Sequence, residues 1–329
     1  MKLASLKTGG RDGTLLVVSG DLETAVVVPQ IAPTLQAALE NWAKAEPQLA
    51  LTYQQLNDGQ LKEAFSFDQR EAHSPLPRAY QWCEASVFIS HLERCRKSTN
   101  RKLPESLYTE IGMYQGGSDS FVPPTSSMLV ETEDWDADLE AGVCVITDDV
   151  PRGTTVEDAA KHIKLVVLVN DFSLRALQPH EMSKGLGVLQ CKPANSYSPV
   201  AVTPASLGSA WNGGMLARPV TVMVRDEIIG EPEAHRDALF NFPQLITHLA
   251  MTRDIEAGSI IGAGTVSNKD ESRGFACLLE KRAAEILTTG TAVTPFLHYG
   301  DRIRIECFDE AGQSIFGAID QVLAKQGSN

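Results

Sequence analysis

From residue 128 onward the chain breaks into short β-like runs that do not take strict turns with helices. They read MLVE (128–131), GVCVITD (142–148), KLVVLVND (164–171), YSPVAVTP (197–204), RPVTVMVRDEII (218–229), SIIGAGTVS (259–267), DRIRIECFDE (301–310) and SIFGAID (314–320). Glycine and proline fall between them and mark tight turns. Helical spacing interrupts them at 156–162 and 243–252. A doubly wound parallel sheet needs strands and helices in alternation, so this rhythm argues against it. It predicts a β-rich α+β architecture with a mixed sheet rolled or sandwiched on itself.

The N-terminal part reads differently. KLASLK, a turn at GGRDG and then TLLVVSG predict a hairpin within residues 1–31. Leu35, Ala38, Leu39 and Trp42 predict a helix over 34–45. Residues 57–76 are polar and run into SPLPR (74–78), the composition of a linker. The expected division is a small β domain over 1–75 and a main domain over 76–329. The segment 84–97 is expected to be helical. Glu84 and His91, seven residues apart, would then lie about two turns apart on one helix face.

Charge appears where these strands should be apolar. Asp138 and Glu140 flank Leu139 and project to one face of a strand. Asp171 closes an apolar run, and Lys192 follows beside a proline. Buried carboxylates are costly unless a cation or hydrogen bonds meet them. With no nitrogen or sulfur ligand among them, the acids suit Mg²⁺, Ca²⁺ or Mn²⁺ better than Zn²⁺. Salt bridges and solvated strand ends are the plainer alternative. For Glu280 the plain expectation is an ion pair with the adjacent Lys281 and Arg282.

Several function classes are disfavoured. A net charge of −13 over 329 residues opposes nucleic-acid binding. GAGTVS (262–267) approaches a dinucleotide fingerprint, but NKDESRG follows where a helix should begin. The six cysteines form no CxxC pair, as expected of reduced thiols. No apolar stretch approaches the roughly 20 residues that span a bilayer. MKLASLKTGG has no apolar core of a signal peptide, so the expected location is the cytoplasm.

DLEAGVCVITDDVP (138–151), VLVNDFSLR (167–175), CKPANSYSPVAVTP (191–204) and GAGTVSN (262–268) together resemble the fumarylacetoacetate hydrolase family. YQGGSDSF (114–121) and SIFGAID (314–320) agree. The resemblance implies a β-roll catalytic domain, a homodimer and a divalent cation, Mg²⁺ or else Ca²⁺ or Mn²⁺. It implies metal ligands at Glu84, Glu140 and Asp171. The family's helix aspartate falls on Glu84, and the second acid of its strand pair falls on Gly142. Asp138 would be a substitute ligand in a weakened site. His91 matches the water-activating histidine, Glu280 its orienting carboxylate and Lys192 the site lysine. Arg175, Gln178, Tyr114 and Thr265 match substrate-contacting groups. The implied activity is hydrolysis of a C–C bond in a small β-dicarbonyl acid, an acylpyruvate or a fumarylacetoacetate-like compound. Oxaloacetate-type decarboxylation or isomerisation on the same groups is the alternative, as is non-catalytic binding of a small acid.

Overall fold

The computed structural model describes residues 1–327. The expected hairpin forms: Lys2–Leu6 pairs antiparallel with Thr14–Val18, and Thr24–Val27 adds to it. Phe65–Ser66 and Ala72–His73 also join this sheet, so the polar segment 57–76 is tied down rather than being a free linker. The helix expected over 34–45 is two helices, Leu35–Leu39 and Trp42–Asn57. The Thr34 hydroxyl accepts the Ala37 amide and caps the first. The second runs on through a polar stretch in which only Leu49 and Leu56 are buried, which hid its length.

The first strand of the chain also pairs antiparallel with Val200–Val202. One twelve-stranded sheet therefore runs from the N-terminal unit into the rest of the protein. Beyond Val200–Val202 come Ile163–Asn170, Ala141–Thr147, Ile260–Gly262, Trp82–Ala85 and Met113–Gly116. Neighbours are antiparallel except Ile260–Gly262 beside Trp82–Ala85. A second sheet joins Glu227–Gly230, Thr221–Val224, Arg302–Glu306, Ile319–Lys325 and Met128–Val130.

The central strands are covered on both faces, which explains their unbroken apolar sequences. Val143, Val145, Val166 and Leu168 pack with Val222, Ile303, Ile305 and Leu323 of the second sheet. Their alternate neighbours Cys144, Ile146, Leu165 and Val167 pack with Leu35, Leu39, Trp42 and Leu49 of the N-terminal helices. Burial at roughly 25 cal/mol per Å² of apolar surface makes this double-sided packing the main stabilising term.

Two elements differ from expectation. Trp82–Ala85 is a buried strand, and the helix spans Ile89–Ser98 only. Glu84 and His91 therefore do not share a helix face. The helix Leu278–Thr289 was not anticipated, although LLEKRAAEILTT contains good helix formers and Gly290 ends it at φ 85°.

Candidate active site

Strand register gathers the acids. Ala141 pairs with Asn170, so Glu140, just before one strand, meets Asp171, just after the other. Glu84 sits opposite Gly262 on one side and Tyr114 on the other. A Cβ on Gly262 would lie 2.3 Å from Glu84 Oε2, so only glycine leaves room for this carboxylate. Gly264, at φ 99°, brings its backbone against Ala85 in the same way. The glycine-rich run thus makes room for the Glu84 carboxylate at Gly262 and for a close backbone approach at Gly264.

Lys192 Nζ sits among these acids. It donates to Asp171 Oδ2 at 2.6 Å, Glu140 Oε2 at 2.7 Å and Ser173 Oγ at 2.8 Å. Asp171 also accepts from Tyr114 Oη at 2.7 Å and Asn195 Nδ2 at 3.0 Å. Burial raises the Asp171 carboxyl despite these partners. At Glu140 burial acts in the same direction, but Arg175 and Lys192 outweigh it and hold the group below the ordinary range.

Glu84 is the exception. It is 4% exposed, and neither carboxyl oxygen receives a hydrogen bond of good geometry; the Gly264 amide exerts only a minor pull. Burial, then the nearby charge of Asp171, push its carboxyl well above the ordinary range. An orphaned buried carboxylate is what a divalent cation would satisfy. Glu84, Glu140 and Asp171 offer oxygen donors only, which fits a hard cation.

Asp138 does not reach this cluster. Its Oδ1 accepts the Leu278 amide at 2.8 Å and its Oδ2 the Leu279 amide at 3.0 Å. It thereby satisfies free donors at the N-terminus of Leu278–Thr289, where negative charge is favoured. Its Oδ2 also takes Arg175 Nε at 2.9 Å. These bonds leave it no freedom to act as the substitute ligand expected from the sequence. Arg175 completes the link through Nη2 to Glu140 Oε1 at 2.6 Å. It is a buried strut between two acids that also lines the cavity. Gly142 likewise faces packed atoms. A Cβ there would meet Val169 Cγ1 at 3.0 Å and Gly264 O at 3.1 Å.

The opposite wall is built by helices. His91 Nδ1 lies 3.0 Å from Glu280 Oε2. Glu280 Oε1 accepts from Arg94 Nη1 and from Ser267 Oγ, both at 2.6 Å. Burial works against its charge, but His91, Ser267 and Arg94 together keep the carboxyl below the ordinary range. Glu280 thus pairs across helices and not with Lys281 or Arg282. Cys277 Sγ accepts the Glu280 amide at 3.3 Å and fixes the first turn. Its Sγ and the ligand atoms of His91 and Glu280 lie within 4.8 Å of one another.

Glu84, Glu140, Asp171, Arg175 and Lys192 line one cavity of about 1170 Å³ with His91, Gln178, Thr265 and Tyr114, while Glu280 lies behind His91. Arg94, Ser267, Asn195 and Cys277 are site residues that the sequence does not mark as such. The helix expected over 84–97 already puts Arg94 and His91 on related faces, but that spacing does not reveal the bond from Arg94 to Glu280. The others act through pairings that local sequence does not reveal.

Residues 1–78 match a family model described as fumarylacetoacetase N-terminal domain 2. Residues 81–323 match fumarylacetoacetate (FAA) hydrolase C-terminal. No curated protein matches the chain. Among solved structures, the fold is similar to maleylpyruvate hydrolase from Sphingobium sp. SYK-6, a complex with manganese(II) ion and pyruvate. The two are 15% identical over 99% of each chain, with a TM-score of 0.63. Fumarylacetoacetate hydrolase from psychrophilic Exiguobacterium antarcticum is 14% identical over 99% of this chain and 100% of its own, with a TM-score of 0.65. The 5-carboxymethyl-2-hydroxymuconate delta-isomerase from Mycobacterium smegmatis is 13% identical over 100% of each chain, with a TM-score of 0.60. Among the described residues, no helix is long and apolar enough to cross a membrane. The two family models cover nearly all of the chain in their natural order, and it therefore belongs to the fumarylacetoacetate hydrolase family.

Proposed function

We propose that this protein hydrolyses a C–C bond in a small β-dicarbonyl acid of the acylpyruvate or fumarylacetoacetate type, using a divalent cation. The observation that carries this reading is one cavity lined by a carboxylate-oriented histidine and by three buried acids, of which Glu84 has both oxygens unmet. A cation held by Glu84, Glu140 and Asp171 would supply Lewis acidity toward the dicarbonyl oxygens.

The chain's own groups do the proton work. With Nδ1 engaged by Glu280, His91 keeps Nε2 as a base. It removes a proton from water as the oxygen bonds to the acyl carbonyl carbon. The adduct collapses, the C–C bond breaks, and its electron pair becomes an enolate. His91 returns the proton to that carbon, giving a carboxylic acid and a 2-oxo acid. Lys192 places a cation beside the developing negative charge. Arg175 holds Glu140 and Asp138 in position throughout.

The test follows loss of enol absorbance from acylpyruvates and oxaloacetate with Mg²⁺ or Mn²⁺ and with EDTA. Acylpyruvate turnover should vanish with EDTA and fall by about 10²–10⁴ in His91→Ala. Acylpyruvate hydrolysis that survives His91→Ala sinks the water-activation step. Oxaloacetate loss that survives it transfers the site to decarboxylation, and binding without any turnover transfers it to a small-acid binder.

A further inference from the structure

The polar groups described above occupy only part of the cavity. Beyond His91 it continues between the helices Ile89–Ser98 and Leu278–Thr289. Leu92 and Cys95 contribute from one helix, with Arg96 and Ser98 toward its end, and Leu279, Ala283 and Ile286 from the other with Arg282, and Phe296 lies beside them. Cys95 follows His91 by four residues and Leu92 by three, so it shares a helix face with each of them. Leu279, Ala283 and Ile286 follow i, i+4, i+7 spacing and form a continuous stripe on theirs. Seven residues at 1.5 Å rise make that stripe roughly 10 Å long. None of the residues these two helices give to the wall is acidic. The Arg282 guanidinium does not enter as a free charge. It lies 4.4 Å from the centre of the Phe296 ring and donates to Thr294 O.

We infer that this arm is an acyl-tail subsite, and that the preferred substrate carries an apolar acyl group of several carbons on its dicarbonyl head. The inference rests on the functional reading above and deepens it. A head group held at the acids and His91 leaves an apolar channel that starts at the attacked carbonyl. A short acyl group leaves that channel to water, and a charged one would be desolvated against Ile286, Leu92 and Phe296. Apolar groups gain affinity there in proportion to the surface they bury.

The test compares acetylpyruvate with hexanoylpyruvate, by calorimetry and by turnover, in wild type and in Ile286→Glu. A melting curve verifies that the variant is folded. Hexanoylpyruvate should bind at least about 10-fold more tightly, the discrimination that even one methylene reaches in an apolar pocket. Ile286→Glu should collapse that preference. Equal affinities in wild type overturn the arm and leave the head-group reading intact. If neither acid binds, the head-group reading fails and 1-hexanol probes the arm alone. Shifts of the Ile286 and Leu92 methyl resonances on adding 1-hexanol then support the subsite, and their absence overturns it.

Discussion

The strand-borne acids Glu84, Glu140 and Asp171 share a cavity with His91, which Glu280 backs from the next helix, yet the two walls are finished to different degrees. On the helix wall every polar atom of Glu280 is engaged, by His91, Arg94 and Ser267. On the strand wall Glu140 and Asp171 are bridged by Lys192, while both oxygens of Glu84 stand unmet. A closed network fixes its geometry before any ligand arrives. An open one holds a standing cost that the right occupant removes. The helix wall is therefore set before any ligand binds, and the strand wall keeps one buried carboxylate unmet.

The sharpest way to break this contrast is to open the closed wall. Glu280→Ala leaves Arg94 buried beside a missing carboxylate and frees the His91 ring. Removing one partner of a buried pair typically costs roughly 3–5 kcal/mol, so urea denaturation should show a loss of that size. A loss under about 1 kcal/mol would mean that water replaces Glu280 easily and that the helix wall is no more finished than the other.

The converse substitution acts on the open wall. Glu84→Gln removes a charge whose burial cost Lys192 and the Gly264 amide do not offset, so in EDTA the variant should be at least as stable as wild type. Wild type should gain stability with Mn²⁺, about 2.7 kcal/mol at a cation concentration of 100 times Kd. That gain should shrink in Glu84→Gln. If Glu84→Gln instead loses more than about 1 kcal/mol in EDTA, Glu84 has a partner in solution and the contrast disappears.

The two walls were also unequally legible in the sequence. Strand acids stand out as charges in apolar runs, so Glu140 and Asp171 were visible, and Lys192 with them. What those runs do not carry is direction. Asp138 has the same spacing as a ligand, but a helix from residues 140 positions away uses both of its oxygens. Gly142 looked like a missing ligand and is a packing contact against Val169 and Gly264. The helix wall was harder still. Leu278–Thr289 opens after an irregular segment and is capped by Cys277, a residue that does not announce a helix start. The β-rich rhythm was readable because both faces of the central strands are buried. The continuity of the sheet through Lys2–Leu6 and Val200–Val202 was not, because pairing across nearly 200 residues leaves no local mark.

The smallest expected effect tests the same contrast through acid. Glu285, on the helix Leu278–Thr289, accepts the Val293 and Thr294 amides at 2.7 and 2.9 Å, the Thr294 hydroxyl, and Lys281 at 3.1 Å. It ties down the segment that leads to Phe296. Burial opposes its charge, but these partners pull the carboxyl from 4.5 down to about 2. A carboxyl lowered by folding contributes stability that is whole above its unfolded value, near pH 4.5, and is lost as pH falls through about 2. Glu285→Gln should therefore cost roughly 1–2 kcal/mol at pH 6, and the cost should narrow steadily below pH 4.5. Glu84 is raised by folding, so its charge costs stability as pH climbs above the ordinary carboxylate range. The advantage of Glu84→Gln in EDTA should accordingly widen with rising pH while the deficit of Glu285→Gln also widens, one upward and one downward. Urea midpoints measured between pH 3 and pH 7 decide it. Differences that move in the same direction would show that both walls carry their carboxylates in one electrostatic state.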